Sequence, residues 1–325
     1  MSVYRSGFAH YIEKFVSYRK ASGSWNEYAT GQNLRLFDYY CADHYEDSSS
    51  LTVEMVGSWC RKRETETSSS CYTRTLVVRE FIDYLRDHGI TDIVTPKPPK
   101  WEGRKYIPHA FTKEELEAFF KECDSIDPYK GRIASVVRKL QCPVFFRLLY
   151  SSGIRTTEAR YLQRSDVDLV HGVLNIRKSK GYDQHYVALH ETMTVLLKIY
   201  DSAIDKIQPG RTYFFECVNT GSCYSRDWVK DNFNKLWKAA NGTGSHAVAY
   251  DFRHHYAIEN ISSWADDSFT FSEKLHYLSK SMGHRWIVST LYYYSIVPRL
   301  ADKIREKTET GFNEVVPEVW DEEDE

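Results

Sequence analysis

The 325-residue chain reads as a mostly α protein built in two parts, a helical bundle followed by an α+β domain that carries a small β-hairpin. Three observations predict this. Apolar residues recur at the three-to-four spacing of helix faces along most of the chain. A proline-rich interruption, Pro96-Lys-Pro-Pro-Lys100, breaks the pattern near residue 100, as stiff, extended spacers do. Beyond it, one stretch alternates in the strand manner around a glycine-containing turn. The length suffices for two separate cores.

Composition removes several classes of function. No run of eighteen apolar residues is present, so no membrane span is expected. The start, Met-Ser-Val-Tyr-Arg-Ser-Gly, lacks the apolar stretch of a signal peptide, and a cytoplasmic protein is expected. The seven cysteines, Cys41, Cys60, Cys71, Cys123, Cys142, Cys217 and Cys223, are odd in number and never form a Cys-x-x-Cys pair. Free thiols are expected, rather than a disulfide framework or zinc site. The net charge of −2 conceals an uneven distribution: residues 1–100 are balanced, 101–300 carry +5 and 301–325 carry −7. Phosphate binding depends on local charge, so the near-neutral total does not exclude nucleic acid.

In chain order, Phe8, Tyr11, Ile12 and Phe15 share one helical face, and Val78, Phe81, Ile82 and Leu85 share another ahead of Gly89, a natural stop. Asn26 to Tyr40 and Thr52 to Arg63 supply two more amphipathic stretches, which makes residues 1–98 a four-helix bundle. Arg74, Arg79 and Arg86 lie off the apolar stripe of the last helix; the plain reading of such residues is a solvated face. Residues 99–110 form the linker. Thr112 and Glu115 are placed as a capping box, opening a second domain over 111–300. An apolar helix from Cys142 to Tyr150 ends at Ser151-Ser-Gly153, and a further helix begins at once, placing Arg155 at the junction with Glu158 on the same face. Strands at Val173 to Ser179 and His185 to Leu189 flank Lys180-Gly-Tyr-Asp183. Helices follow at Glu191–Ala203 and Arg226–Ala240, the second bearing Arg226 and Lys230. A helix starting near Tyr250 sets Tyr250, Arg253 and His254 at i, i+3 and i+4. A Gly-His turn at 283–284 then leads to the run Tyr292-Tyr-Tyr294. His284 and Tyr293 are nine residues apart, two and a half helical turns, so they serve one site only if the chain bends between them.

Taken singly, these features have ordinary explanations: an intrahelical ion pair, a turn lysine, aromatic packing at a helix end. Taken in order, Ser152-Gly-Ile-Arg-Thr-Thr-Glu158, Tyr250-Asp-Phe-Arg-His254, Gly283-His284 and Tyr293 resemble the tyrosine recombinase (phage integrase) family of DNA breaking and joining enzymes. Tyr72-Thr-Arg-Thr-Leu-Val-Val-Arg-Glu-Phe81 looks like the end of the family's helical, SAM-like core-binding domain, which marks Arg74 and Arg79 as phosphate contacts.

The resemblance implies a metal-free and cofactor-free transesterification. Tyr293 is the nucleophile, forming a covalent 3′-phosphotyrosine. Arg155, held by Glu158, and Arg253 clamp the phosphate oxygens, and His284 adds a donor. Lys180, rather than Lys178, protonates the leaving oxygen. Tyr250 stands where the family usually carries histidine; a phenol titrating near 10 gives a hydrogen bond but no cationic charge. His246 is at the wrong distance from Arg253 to take that place, and the Ser262 to Phe271 segment makes the connection to His284 longer than the common pattern. His254 supports the site, while Arg226 and Lys230 are candidate DNA contacts.

The expected partners are double-stranded DNA at specific sites and three further copies of the chain, a homotetramer on a Holliday junction, in a nucleoid-associated setting. The acidic segment 301–325 either docks on a neighbouring subunit, as the resemblance implies, or is a solvated tail. A type IB topoisomerase shares the nucleophile and clamp and is the enzymatic rival. A catalytically inactive DNA-binding regulator is the rival from another class, favoured by Tyr250 alone.

Overall fold

The computed structural model describes residues 3–45, 48–100, 108–177, 184–264 and 270–294, apart from the side chains of Tyr28 and Tyr294. Two compact units divide it, 1–106 and 107–325. Lys180 and the segment 301–325 lie outside the described residues.

In the first unit, helices α1 (Ala9–Ala21), α2 (Gln32–His44), α3 (Val53–Cys60) and α4 (Ser68–Asp87) surround one apolar core. The starts of α3 and α4 are chemically set: the hydroxyls of Thr52 and Thr67 accept from the backbone N–H of Met55 and Ser70, satisfying donors that a helix leaves open. Ile12 and Phe15 from α1 share this core with Val78, Phe81, Ile82 and Leu85 from α4, and Phe37 and Trp59 pack ring to ring within it. The expected helix over Asn26 to Tyr40 forms differently. A π-type turn at Glu27–Gly31 precedes α2, which runs on to His44.

The second unit opens with α5 (Lys113–Asp124), where Thr112 and Glu115 make the full capping box. Helix α6 (Ile133–Ser152) starts nine residues before the expected Cys142. Pro143 lies inside it, and a missing N–H with a ring against the preceding turn normally ends a helix. Here burial of Val137, Cys142, Phe145, Phe146 and Leu149 overrides that local penalty. Short α7 (Thr156–Tyr161) follows.

Strands β1 (Val167–Asp168), β2 (Val173–Ile176) and β3 (His185–Ala188) make an antiparallel sheet in that order, so the expected hairpin gains a third strand. Its register sets Ile176 opposite His185. Helix α8 (Glu191–Asp205), a two-residue hairpin pair β4 (Glu216–Cys217) and β5 (Ser222–Cys223), and α9 (Arg226–Asn241) complete the outer layer. The core is strongly aromatic, with Phe119, Phe146, Phe233, Trp237 and Phe252 packed together. Helix α10 (Asp251–Ser262) packs on α6, α11 (Phe271–Ser281) and α12 (Val288–Tyr294), while α11 also lies along β3. The end of α6, the start of α10, the end of α11 and the last helix therefore converge beside His185, in the β2–β3 pair next to the connection between the two strands.

All seven cysteines are free, and burial pushes Cys41 and Cys142 up to about 12. Among the described residues no helix is long and apolar enough to cross a membrane.

Candidate active site

Two glycines build the frame. Gly153 ends α6 at φ +64° and Gly283 ends α11 at φ +60°, a left-handed conformation that side chains rarely adopt. At Gly283 the chain closes a Schellman motif: the Gly283 N–H bonds to the Lys280 carbonyl and the His284 N–H to that of Ser279, both at 2.9 Å. A Cβ on Gly283 would lie 2.4 Å from the His185 ring, and one on Gly153 would lie 2.3 Å from the Tyr256 ring. The Gly283 turn thus lies against β3, and the Gly153 turn against α10. The first contact places the start of β3, where His185 pairs with Ile176, against the Gly283 turn.

These turns hold the arginines. Arg253, 2 % exposed, donates through Nη1 to the Gly153 carbonyl and through Nη2 to the Met282 carbonyl, each at 2.6 Å. Arg155 caps α7. Glu158 accepts from its backbone N–H at 2.8 Å and from its Nη1 at 2.6 Å, and Arg155 Nη2 reaches the Gly283 carbonyl at 3.1 Å. Helix C-termini carry partial negative charge, so the ends of α6 and α11 offset the cost of burying cations there. Arg253 nevertheless has no carboxylate in its hydrogen-bond set, and its Nε has no hydrogen-bond partner among the described residues. Burial, and then the neighbouring Arg155, pull its pKa below the usual arginine range. The charge of Arg155 acts on Arg253, so the two guanidiniums lie near one another in the site.

His284 Nε2 lies 2.9 Å from Arg253 Nη2. A guanidinium only donates, so this nitrogen is the acceptor and carries no proton. Nδ1, 2.7 Å from Thr290 Oγ1, holds the proton of the neutral ring and donates it. Burial and the adjacent Arg253 and Arg155 push the His284 pKa down to about 3. The nitrogen expected to donate therefore accepts from Arg253 here.

The bend that the sequence required is present: His284 precedes α12, and Tyr293 lies within it. The Tyr293 ring stacks 6.0 Å from His284 and packs among Ala257, Ile261, Leu278 and Met282. It is 4 % exposed whereas Tyr292 is 37 % exposed, so the central tyrosine faces the arginines. Burial raises the Tyr293 pKa, opposed by the charge of Arg253 and a hydrogen bond from it. His254, buried and held below its ordinary pKa by burial, lies 5.4 Å from the Tyr293 ring and 5.1 Å from Tyr250. Tyr250 precedes α10 and is 40 % exposed at the rim.

The remaining candidates fall elsewhere. Arg226 and Lys230 are exposed on α9, whose buried face packs against α5, and the hydrogen bonds of this cluster do not involve them. Arg79 reaches the Pro96 carbonyl. Arg74 is 5 % exposed and spends its guanidinium on Glu66 and on the carbonyls of Trp59 and Arg61, making it a strut of the first unit rather than a group facing solvent. Thr290, the Gly153 and Met282 carbonyls and His185 were not singled out as site groups by the sequence. Thr290, one turn before Tyr293, carried the only available signal. Among the described residues no group of three His, Cys, Asp or Glu side chains could hold a metal ion.

The phage integrase family model matches residues 109–297, more than half of the chain and all of the cluster just described. The chain is a member of this family, the tyrosine recombinases. Among family relatives, a putative integrase/recombinase, y4rB, of Sinorhizobium fredii is 24% identical over 94% of this chain and 98% of its own length. Tyrosine recombinase XerC of Oceanobacillus iheyensis is 24% identical over 91% and 93%. Among solved structures, the XerH site-specific recombinase bound to its difH substrate before cleavage superposes with a TM-score of 0.63, at 16% identity, covering 91% of this chain and 83% of that one. At that identity the match shows the recombinase fold alone, mostly helical with small antiparallel sheets.

Proposed function

We propose that the chain cuts and rejoins DNA at specific sites through a covalent 3′-phosphotyrosine on Tyr293, in the service of a mobile element. The observation that carries this is the convergence of Arg155 and Arg253 next to buried Tyr293 with no carboxylate bonded to Arg253. A scissile phosphodiester is an anion that both guanidiniums can bind. As its non-bridging oxygens gain charge in the transition state, the guanidiniums are already aimed and need no reorganisation; a preorganised donor of this kind is worth about 10²–10³ in rate.

Tyr293 Oη forms a bond to phosphorus, and the bond from phosphorus to the 5′ oxygen breaks. The phenol gives up one proton and the leaving oxygen takes one up, so the step is proton-neutral. Lys180 is the donor to that oxygen in this reading, supported by the contact of His185 with the Gly283 turn. A 5′ hydroxyl from a second duplex reverses the step, within four protomers on a Holliday junction. Arg79, Arg226 and Lys230 are placed as phosphate contacts, and 301–325 as a segment docking on a neighbour. The intact clamp around Tyr293 speaks against the inactive regulator. Near full-length similarity to XerC and y4rB favours site-specific recombination over a type IB topoisomerase. Service to a mobile element rests on the long Arg253–His284 connection and on similarity to the Tn1549 transposon integrase, TM-score 0.61 at 14% identity.

The test uses duplexes carrying the repeats that flank the gene. Wild type, Tyr292→Phe and Tyr294→Phe should each leave a protein–DNA adduct that survives boiling in detergent, and Tyr293→Phe should bind the duplex yet leave none. An adduct in the Tyr293 variant would sink the assignment.

A further inference from the structure

The Gly283 turn holds both arginines of the cluster by its carbonyls. Met282 accepts from Arg253 Nη2 at 2.6 Å, and Gly283 from Arg155 Nη2 at 3.1 Å. Arg155 Nη1 is fixed separately, on Glu158 Oε1 at 2.6 Å. A planar guanidinium gripped at both of these nitrogens has a single aim. For Arg155 the second grip is only as steady as the carbonyl that offers it, and that carbonyl belongs to a glycine, the residue with the widest choice of backbone angles.

His185 limits that choice. Its Cε1, Nδ1 and Nε2 atoms lie 2.4, 2.8 and 2.8 Å from where a Gly283 Cβ would stand, so the imidazole covers the side of the glycine that a side chain would otherwise fill. The ring is carried by a well-anchored strand: His185 pairs with Ile176, while Leu174, Ile176 and Val187 are buried in the core of the unit. Helix α11, which ends in the turn, lies along the same strand. Movement of the turn toward β3 is therefore blocked by packed atoms. The bonds from the Gly283 and His284 N–H groups to the Lys280 and Ser279 carbonyls hold it from the helix side.

We propose that His185 is a positioning residue: by packing on Gly283 it fixes the Gly283 carbonyl, and with it the aim of Arg155. The consequence for the reaction rests on the recombinase reading, whereas the hold on Arg155 exists without DNA. Loss of the ring leaves the glycine room to shift and the Arg155 fork one firm grip instead of two. Misplacing a clamp group by about 1 Å costs on the order of 10²-fold in rate, and half that displacement about tenfold. Overall DNA affinity, spread over many phosphate contacts, stays near wild type.

Nitrogen-15 NMR of the full-length, DNA-free protein reads the hold directly. Wild type should show restricted rotation of the Arg155 guanidinium, with Nη1 and Nη2 resolved. His185→Ala should merge the two signals, and His185→Phe, which puts back a flat ring, should resolve them again. Adduct formation should fall about tenfold in His185→Ala, with DNA affinity little changed, and return in His185→Phe. The loss should persist on a duplex whose scissile 5′ oxygen is replaced by sulfur: a thiolate leaves without the proton that an alkoxide needs, but the clamp is still required. A loss that vanishes on the sulfur duplex would assign His185 to protonation of the leaving group, and a rate that His185→Phe does not restore would make the imidazole itself a participant. Either result overturns the inference, as do merged Arg155 signals in wild type or unchanged ones in His185→Ala. Should His185→Ala fail to fold, His185→Leu, which fills the space without a planar ring, carries the same expectations. If wild type forms no adduct on any site, the recombinase reading fails, and the Arg155 signals still decide whether His185 steadies the guanidinium.

Discussion

Two arginines of this chain are almost equally buried, Arg74 in the first unit at 5 % exposure and Arg253 in the second at 2 %, and their surroundings are opposite. Arg74 is ion-paired with Glu66 at 2.7 Å. Burial alone would lower its pKa, but the Glu66 hydrogen bond and charge outweigh that and raise it. Arg253 is bonded to two carbonyls, a neutral imidazole and the Tyr293 phenol, has a second guanidinium nearby, and burial pulls its pKa down. A buried charge is tolerated when something offsets it. Arg74 has its carboxylate inside the protein, whereas Arg253 is left short of one, as suits a group whose counterion arrives with the substrate.

The largest effect that would sharpen this contrast is on rate. Arg253→Met should reduce adduct formation by about 10²–10³-fold. Its unfolding free energy should stay within about 2 kcal/mol of wild type, because removing an uncompensated buried charge offsets the loss of bonds to the Gly153 and Met282 carbonyls. Arg74→Met should do the reverse. It leaves Glu66 facing an apolar side chain, so the first unit should lose about 3 kcal/mol in urea denaturation, while folded protein keeps its cleavage chemistry. Equal losses of stability in the two variants would erase the distinction.

Acid should weaken the second unit through the same cluster. The folded His284 pKa, about 3, lies below its ordinary 6.5, so the unfolded chain takes up the proton first as pH falls. The stabilisation is complete above about 6.5 and is lost progressively as pH drops toward 3; burial shifts His254 and His255 in the same direction. Denaturation of wild type at pH 7 and pH 4.5 should show the loss, and His284→Gln should show a smaller one. A wild type equally stable at both values would mean that the imidazole is not held neutral between the arginines.

The smallest effect is expected at the rim. Tyr250 is 40 % exposed and offers the phosphate at most one neutral hydrogen bond, worth about 1 kcal/mol, so Tyr250→Phe should slow adduct formation only about fivefold. A loss as large as that of Arg253→Met would move Tyr250 from the rim into the clamp.

Local chemistry was legible in the residues themselves. Thr112 and Glu115 announced a helix start, Gly153 announced a helix end and Gly283 a turn, and alternation announced the β2–β3 hairpin. Each depends on neighbours a few positions apart. The ordered motifs likewise named Arg155, Arg253, His284 and Tyr293, four residues that the fold brings into one cluster. Three things could not be read from them. The expected helix began at Cys142, yet α6 starts at Ile133 and runs through Pro143, because the burial that overrides a proline belongs to the packed core. Arg74 lay on the face expected to be solvated, until its pairing with Glu66 and Trp59 filled that face. The acceptor role of His284 depends on Arg253, 31 residues away, and on the Gly153 carbonyl, 100 residues from Arg253, that helps to hold it. A hydrogen bond's direction is set by which atoms meet, and for partners so far apart along the chain only the folded structure decides that.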